Sequence, residues 1–242
     1  MGIKWVESLL LTQATNCVHS AGRRDSVRGN DVRRLRDNIP LMTDKIDHDR
    51  LYQVAESQAG YFTTEQALAT GMERSTLGHH ARPGGRYQRV RRGLYRLRHF
   101  PSTPHEHVVA AWLALSNVPA VVSHESALEL YDLSDVIPNA IHVTVAREKR
   151  GQRPRLGVRF HTLEHPPDAN EIRRVAGVLA TSPERTIVDS LEAGSQPEQI
   201  ELAARQALER GLTTPRRLRA AAAGRPARIQ TFIDRLLREA AA

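Results

Sequence analysis

The sequence predicts an α+β protein: an N-terminal winged helix-turn-helix followed by a mixed α/β domain with a small sheet and a helical C-terminal tail. Three observations predict this fold class. Short helical segments lead into a basic hairpin between residues 47 and 99, alternating β-branched strands follow residue 101, and helical periodicity runs from residue 197 onwards. With 242 residues, the chain is long enough to bury a core without disulfides or metals.

The composition limits the classes of partner. The formal net charge is +8, which favours a polyanionic partner. Aromatic residues are only 5% of the chain, which argues against a single-strand binder that stacks bases on aromatic side chains. The single cysteine, Cys17, excludes an internal disulfide framework and a multi-cysteine metal site. No apolar run reaches the length of a membrane span or a signal-peptide core, so we expect a cytoplasmic protein with no membrane partner.

The first segment, residues 1–41, differs from the rest of the chain. It is rich in charge and has no sustained apolar period, so it buries too little surface to offset the entropy of ordering. Patterned sequence begins after Met42. We therefore expect residues 1–41 to be a disordered or mis-called N-terminal extension. The alternative is a basic arm that contacts DNA phosphates.

Residues 42–100 form the first predicted domain. Helical spacing predicts a helix over residues 47–58, and Thr63 with Gln66 fits a capping box that begins a second helix ending near Gly71. A third helix is predicted over residues 73–82. Two short strands joined by a turn at Gly93 then predict a hairpin. Two helices on either side of a glycine turn, followed by a basic hairpin, are typical of a winged helix-turn-helix.

The third helix is the predicted recognition helix, because the major groove of DNA admits one helix. Its periodicity places Met72, Leu77 and Ala81 on the inward face. Gly78 belongs to the opposite face, although glycine costs about 1 kcal/mol against alanine inside a helix. Gly78 either allows the backbone to approach DNA closely or is simply tolerated there.

The charge of this domain predicts where DNA binds. Glu73 is the only acidic residue between residues 71 and 100. A run of arginines confined to a hairpin after a helix-turn-helix indicates contacts with phosphates or the minor groove. Arg74 is the best candidate for a bidentate guanine contact. Ten residues are predicted to contact DNA: Arg74, Ser75, Thr76, His79, Arg82, Arg86, Arg89, Arg91, Arg92 and Arg96.

Residues 101–242 form the second predicted domain, an α/β unit with a helical tail. Its strands are predicted at residues 120–122, 141–145, 158–161 and 177–180. Ser123 and Ser182 are predicted to cap helices, and Pro183 after Ser182 strengthens the second of these starts. Three more helices are predicted over residues 197–210, 214–223 and 227–241.

A loop between two of these strands carries a second cluster of basic residues. It is a candidate second basic patch that contacts phosphates or docks an acidic protein surface, and the alternative is a solvated hairpin tip. Its members are Arg147, Lys149, Arg150, Arg153 and Arg155.

Seven short motifs occur in a fixed order along the chain, at residues 60–64, 71–77, 89–95, 122–128, 141–145, 177–178 and 181–189. In this order they resemble the AbiEi-type antitoxins of bacterial abortive-infection, type IV toxin–antitoxin systems. The resemblance implies a winged-helix antitoxin that represses its own operon. It also implies two partners, double-stranded operator DNA and a nucleotidyltransferase-like toxin encoded nearby. Self-association on DNA is a further expectation.

Several residue groups could suggest chemistry. Ser123 and His124 are adjacent, but they lack the glycine-rich strand–turn–helix setting of a serine nucleophile, so we interpret them as a helix cap and a packed histidine. His161 and His165 are four residues apart, but prolines follow and no helix aligns them as in a zincin. We therefore predict no catalytic residue, no metal site and no cofactor.

Two other functions stay open at this point. The first is a stand-alone winged-helix regulator whose second domain senses a ligand. The second, less favoured, is a DNA nuclease, for which Asp132, Asp135, Glu148 and Lys149 are the nearest set of metal-binding and activating residues. A neighbouring gene for a nucleotidyltransferase-like protein would favour the antitoxin.

Overall fold

The computed structural model describes residues 46–115, 118–145, 157–162 and 167–240. The predicted N-terminal extension, residues 1–41, lies outside these ranges, and so does the second basic patch between residues 147 and 155. Within the described ranges, no helix is long and apolar enough to cross a membrane.

Between residues 46 and 97, the described section of the N-terminal part contains three helices and a three-stranded antiparallel sheet. In chain order these are α1 (His48–Glu56), β1 (Tyr61–Thr63), α2 (Thr64–Leu68), α3 (Arg74–His80), β2 (Tyr87–Arg91) and β3 (Leu94–Leu97). The order of strands is β1-β3-β2, so β3 is central. The predicted helices and hairpin are confirmed. Strand β1 is an addition, because three residues are too few to establish an alternating pattern.

Local sequence explains why α2 begins where it does. The backbone N–H of Gln66 donates to the hydroxyl of Thr63, and the side chain of Gln66 accepts from the backbone N–H of Thr63. The predicted capping box is therefore confirmed. Phe62 anchors the small core beneath it, with its ring 5.0 Å from that of Tyr87 in an edge-on arrangement.

The C-terminal part is built on a mixed five-stranded sheet. Its elements are α4 (Glu106–Leu113), β4 (Ala120–Val122), α5 (His124–Leu130), β5 (Ile141–Val145), β6 (Val158–Thr162), β7 (Ile172–Val175) and β8 (Val178–Thr181). The strand order is β6-β5-β4-β8-β7. Strands β5 and β6 are parallel, as are β4 and β8, while β4–β5 and β7–β8 are antiparallel. The four predicted strands are confirmed within a residue at each end, and β7 was not predicted.

Four helices follow the sheet: α6 (Pro183–Glu192), α7 (Pro197–Glu209), α8 (Pro215–Ala222) and α9 (Ala227–Glu239). Helix α6 is buried from Pro183 to Ser190, because α5, α7, α8 and α9 all pack on it. The predicted start of α6 is confirmed, but the predicted cap is wrong in its chemistry. The hydroxyl of Ser182 makes no capping hydrogen bond and is buried without a partner.

Helix α6 also holds a buried ionic network. Arg185 donates from Nε to both carboxylate oxygens of Asp189, at 3.0 and 2.8 Å, and from Nη1 to Glu171 at 2.8 Å. Arg225, which precedes α9, donates to the same Asp189 at 2.6 Å. Burial raises the pKa of Asp189, so the two guanidinium groups are what favour its charged form.

The two parts share one apolar cluster. Tyr61 and Leu94 of the small sheet are buried together with Val108 and Leu113 of α4. Gly60, with a φ of +83°, lies so close to Phe100 that a Cβ atom would be 2.5 Å from the ring. Through the shared cluster the small sheet packs directly against α4.

Candidate nucleic-acid interface

Helix α3 buries one face and exposes the other, as its periodicity predicts. Met72 before the helix and Leu77 within it are each 2% exposed. Arg74, Ser75 and His79 are exposed on the opposite face. Thr76 is partly buried between the two faces, and Ala81, predicted to pack inward, is only partly buried as well.

Gly78 lies on the exposed face of α3. A Cβ atom built on it would meet no other atom within 4 Å, and its backbone conformation does not require glycine. Within the part of the chain that the structure describes, no contact therefore explains a glycine at this position. The side of α3 that it belongs to is free to approach another molecule.

The wing, residues 87–97, presents arginines from a distorted strand. Arg89 pairs with Tyr95 and Arg91 with Leu94, so Val90 is an extra residue in a β-bulge. Arg89, Val90 and Arg91 are all exposed, and so is Arg92 at the turn. Gln88, which lies before the bulge, is exposed as well, so within the outer strand β2 four successive side chains face solvent and only Tyr87 is buried.

The connection between α3 and the wing is stabilised by Arg98, one of the hairpin arginines whose run predicts phosphate or minor-groove contacts. Arg98 donates to the carbonyl oxygens of Arg82, Gly85 and Tyr87, at 3.3, 2.5 and 3.2 Å. These three acceptors lie on both sides of the turn. Arg82 and Arg86, the predicted DNA contacts in this connection, are exposed. The only sequence signal for Arg98 was its place at the end of the hairpin.

Electrostatics at the base of this surface favour a neutral histidine. Burial lowers the pKa of His80, and the positive charge of Arg86 lowers it further. The His80 ring packs edge-on against Tyr87, with the centroids 5.6 Å apart. Glu73, the one acidic residue between residues 71 and 100 of the sequence, accepts from the hydroxyl of Ser75 at 3.1 Å.

The predicted DNA contact at Arg96 needs correction. Of the ten predicted residues, eight are exposed and Thr76 is partly buried, but Arg96 faces the second domain. Its Nη2 atom is 3.1 Å from Oε2 of Glu106, and only 13% of its side chain is exposed. The alternation of the hairpin could not reveal this, because Glu106 belongs to the next domain.

A second polar cluster lies on the sheet of the C-terminal part. The rings of His124 and His161 are stacked with centroids 3.7 Å apart, and a hydrogen bond of 3.3 Å joins Nε2 of His161 to Nδ1 of His142. Burial lowers the pKa of His124 to about 2 and that of His161 to about 4, and it also lowers the pKa of His142. The three rings are therefore neutral near pH 7.

The predicted cap at Ser123 is wrong in the same way as that at Ser182. The Ser123 hydroxyl is completely buried, accepts from Thr144 Oγ1 at 2.8 Å and lies 2.9 Å from Nδ1 of His124. It makes no capping hydrogen bond to α5. The packed histidine is confirmed, because His124 is only 2% exposed.

Two other histidines share a carboxylate: His105 and His107 lie 4.0 and 2.9 Å from Glu129, and His105 also pairs with Asp132 at 3.3 Å. Across the residues whose positions are described, no group of three or more His, Cys, Asp or Glu residues is arranged to hold a metal ion. Glu148, Lys149 and His165 lie outside the described ranges.

Two protein-family models match this chain. Residues 49–98 match the model described as transcriptional regulator, AbiEi antitoxin, and residues 120–239 match the AbiEi antitoxin C-terminal domain. The chain belongs to the AbiEi antitoxin family. In this AbiEi family member, the first match contains the exposed face of α3 and the wing. The second contains the histidine cluster and the ionic network of α6.

Comparison with solved structures finds chains with similar folds. One of them is the crystal structure of the RV2827C protein from Mycobacterium tuberculosis, with 16% sequence identity and a TM-score of 0.47. The similarity covers 79% of this chain and 76% of that chain. No curated protein sequence matches the chain.

Proposed function

We propose that this protein is the antitoxin of a bacterial toxin–antitoxin system, that it binds operator DNA and represses its own operon, and that it counteracts a nucleotidyltransferase-like toxin encoded nearby. In this proposal it acts in the cytoplasm and performs no catalysis. Membership of the AbiEi antitoxin family supports the general role.

The observation that carries DNA binding is the set of exposed arginines on α3, on the wing and on the connection between them. Arg74 on the helix and Arg89, Arg91 and Arg92 on the wing are exposed, and the one acid between residues 71 and 100 bonds to a neighbouring serine. A helix in the major groove reads bases, while wing arginines contact phosphates or enter the minor groove. The proposed contacts are Arg74, Ser75, Thr76, His79, Arg82, Arg86, Arg89, Arg91 and Arg92.

Fluorescence anisotropy with two labelled duplexes tests operator binding. One duplex carries the promoter of the protein's own operon, and the other has the same bases in shuffled order. We expect the full-length protein to bind the promoter more tightly, by roughly a thousandfold or more for a specific regulator. Equal affinity for both duplexes would contradict the proposal of a specific operator.

Two variants separate base recognition from phosphate contact. Arg74→Ala should weaken promoter binding about tenfold and reduce discrimination at one base pair. The double variant Arg91→Ala with Arg92→Ala should bind both duplexes more weakly and to the same extent. The slope of log K against log salt concentration should become shallower by about two units, since each phosphate contact contributes about 0.9 to it. Arg228→Ala on α9 is the control, because it removes an exposed arginine from the other domain.

Co-expression tests the antitoxin role. The adjacent gene expressed alone should arrest bacterial growth, and simultaneous expression of this protein should restore it. If the adjacent gene does not arrest growth but this protein still represses the promoter, the result favours the stand-alone regulator. The outcome at the promoter and the outcome for growth are read separately, so either half of the proposal can fail alone.

A further inference from the structure

The central strand of the wing sheet carries an arginine directed at the second domain. Arg96 donates from Nη2 to Glu106 Oε2 at 3.1 Å and to the carbonyl oxygen of Pro101 at 3.2 Å. Its guanidinium also lies over the ring of Tyr61, 5.5 Å from the centroid. Three different groups therefore hold one side chain in place.

This arrangement differs from an ordinary surface ion pair, which contributes little because both side chains are solvated and mobile. Arg96 is 13% exposed at its side chain and Glu106 is 29% exposed. Tyr61, which the guanidinium covers, is itself 8% exposed and belongs to the apolar cluster that continues into α4. The pair thus closes the edge of an interface that is already packed.

We propose that Arg96 is a positioning residue, which fixes the wing and the recognition helix at a set angle to the second domain through Glu106. The inference rests on the proposed DNA binding, and it states that the contact between Arg96 and Glu106 controls the affinity for DNA. Strand β3 pairs with both other strands, so a change in its position moves β2 with the wing arginines and β1 next to α2. A partner that shifts α4 would therefore change the affinity for DNA.

The salt dependence of DNA binding distinguishes positioning from contact. Arg96→Ala should weaken promoter binding roughly tenfold while the slope of log K against log salt stays unchanged, because no phosphate contact is lost. Arg92→Ala, which removes an equal charge from the exposed wing turn, should flatten the slope by about one unit. A flatter slope for Arg96→Ala would overturn the proposal, since Arg96 would then contact DNA.

A double-mutant cycle tests whether Glu106 is the partner through which Arg96 acts. Glu106→Gln should weaken promoter binding about as much as Arg96→Ala, although it makes the protein more basic and would otherwise favour DNA. The double variant, Arg96→Ala with Glu106→Gln, should lose no more affinity for the promoter than either single variant. Exchanging the two residues, Arg96→Glu with Glu106→Arg, should restore most of the affinity. Additive losses, or no rescue by the exchange, would contradict the coupling.

A distance measurement tests the same inference without DNA. In a Cys17→Ser background, spin labels at Tyr52→Cys on α1 and Ile137→Cys in the second domain occupy exposed positions, 50% and 93% exposed in the native residues. Double electron–electron resonance should give a narrow distribution of distances between the two labels in the otherwise unaltered protein, and a broader or shifted distribution after Arg96→Ala. The distribution for Arg92→Ala should be the same as that of the otherwise unaltered protein. An unaltered distribution would overturn the positioning role even if DNA binds. If the distance distributions are as expected but the unaltered protein binds the promoter and the shuffled duplex equally, the positioning role stands and the proposed function is contradicted.

Discussion

Gly177 lies against the backbone of Ser57: a Cβ atom at Gly177 would be 1.9 Å from the Ser57 carbonyl oxygen. Gly177 forms the turn between β7 and β8 together with Ala176, and both have positive φ, +81° and +47°. Two such residues between paired strands are typical of a tight hairpin turn. This turn of the second domain therefore contacts the end of α1 with no room for a side chain.

We predict that Gly177→Ala destabilises the protein more than its backbone conformation alone explains. Left-handed backbone costs a non-glycine residue about 1–2 kcal/mol, and the overlap with Ser57 adds about 1–3 kcal/mol. Gly224→Ala is the matched control, because Gly224 has a φ of +79° with nothing within 4 Å. Urea unfolding measures both variants. Equal losses in the free energy of unfolding would show that the contact with Ser57 gives way at no cost.

The ionic network of α6 should be far more sensitive to substitution than the surface pairs. Asp189→Asn leaves two buried guanidinium groups, those of Arg185 and Arg225, with their shared carboxylate gone. We expect a loss of about 3–5 kcal/mol in the free energy of unfolding. The same chemical change at Asp234, which pairs with Arg219 at 3.3 Å with both side chains more than half exposed, should cost less than about 1 kcal/mol. Similar losses at the two sites would refute the dominance of the buried network.

The histidine cluster predicts loss of stability in mild acid. The pKa of His161 is lowered to about 4 and that of His124 to about 2, so near pH 5 the folded protein keeps both rings neutral while the unfolded chain protonates them. The unfolded state then binds more protons, and the free energy of unfolding falls as the pH falls below the ordinary histidine pKa of 6.5. Each fully buried histidine contributes up to about 1.4 kcal/mol per pH unit, and partial exposure of His161 reduces its share.

The measurement compares unfolding of His161→Asn with that of the unaltered protein, from about pH 7.5 down to about pH 5. The variant should lose less stability over this interval, because one histidine that titrates only on unfolding has been removed. His99→Asn, at an exposed histidine, should leave the pH dependence unchanged. The charges around the cluster, Arg159, Arg185 and Glu125, remain in every variant. An identical pH dependence in all proteins would contradict the prediction.

Gly78→Ala should separate stability from DNA binding. The position is exposed and the helix gains about 1 kcal/mol when alanine replaces glycine, so the free energy of unfolding should rise. If the backbone of α3 lies close to DNA at Gly78, the added methyl group weakens promoter binding at the same time, and we expect this result. Thr231→Ala on the exposed face of α9 is the control, with a gain in stability and unchanged affinity. Unchanged affinity for Gly78→Ala would mean that the glycine is merely tolerated.

Much of the first domain could be predicted because its determinants are local. The capping box of Thr63 and Gln66 spans four residues, and the inward face of α3 follows from Met72 and Leu77. Helix ends and faces depend on neighbours within one or two turns, which are written in consecutive residues. The same reasoning failed for Ser123 and Ser182, since each lies at the predicted helix start without a capping hydrogen bond. The Ser123 hydroxyl accepts instead from Thr144, a residue 21 positions away, and the Ser182 hydroxyl is buried without a hydrogen bond in the described part of the chain.

The sequence alone determined the fold class, the exposed face of α3 and most of the exposed arginines of the wing. Only the tertiary structure decided that Arg96 turns to Glu106, that His124 stacks on His161, and that Arg225 shares Asp189 with Arg185. The last two contacts join residues 36 or more positions apart. An arginine or histidine has the same local preference for helix or strand whether its side chain faces DNA, a neighbouring domain or a core. Which of these it meets depends on how distant elements pack, and no local pattern encodes that packing.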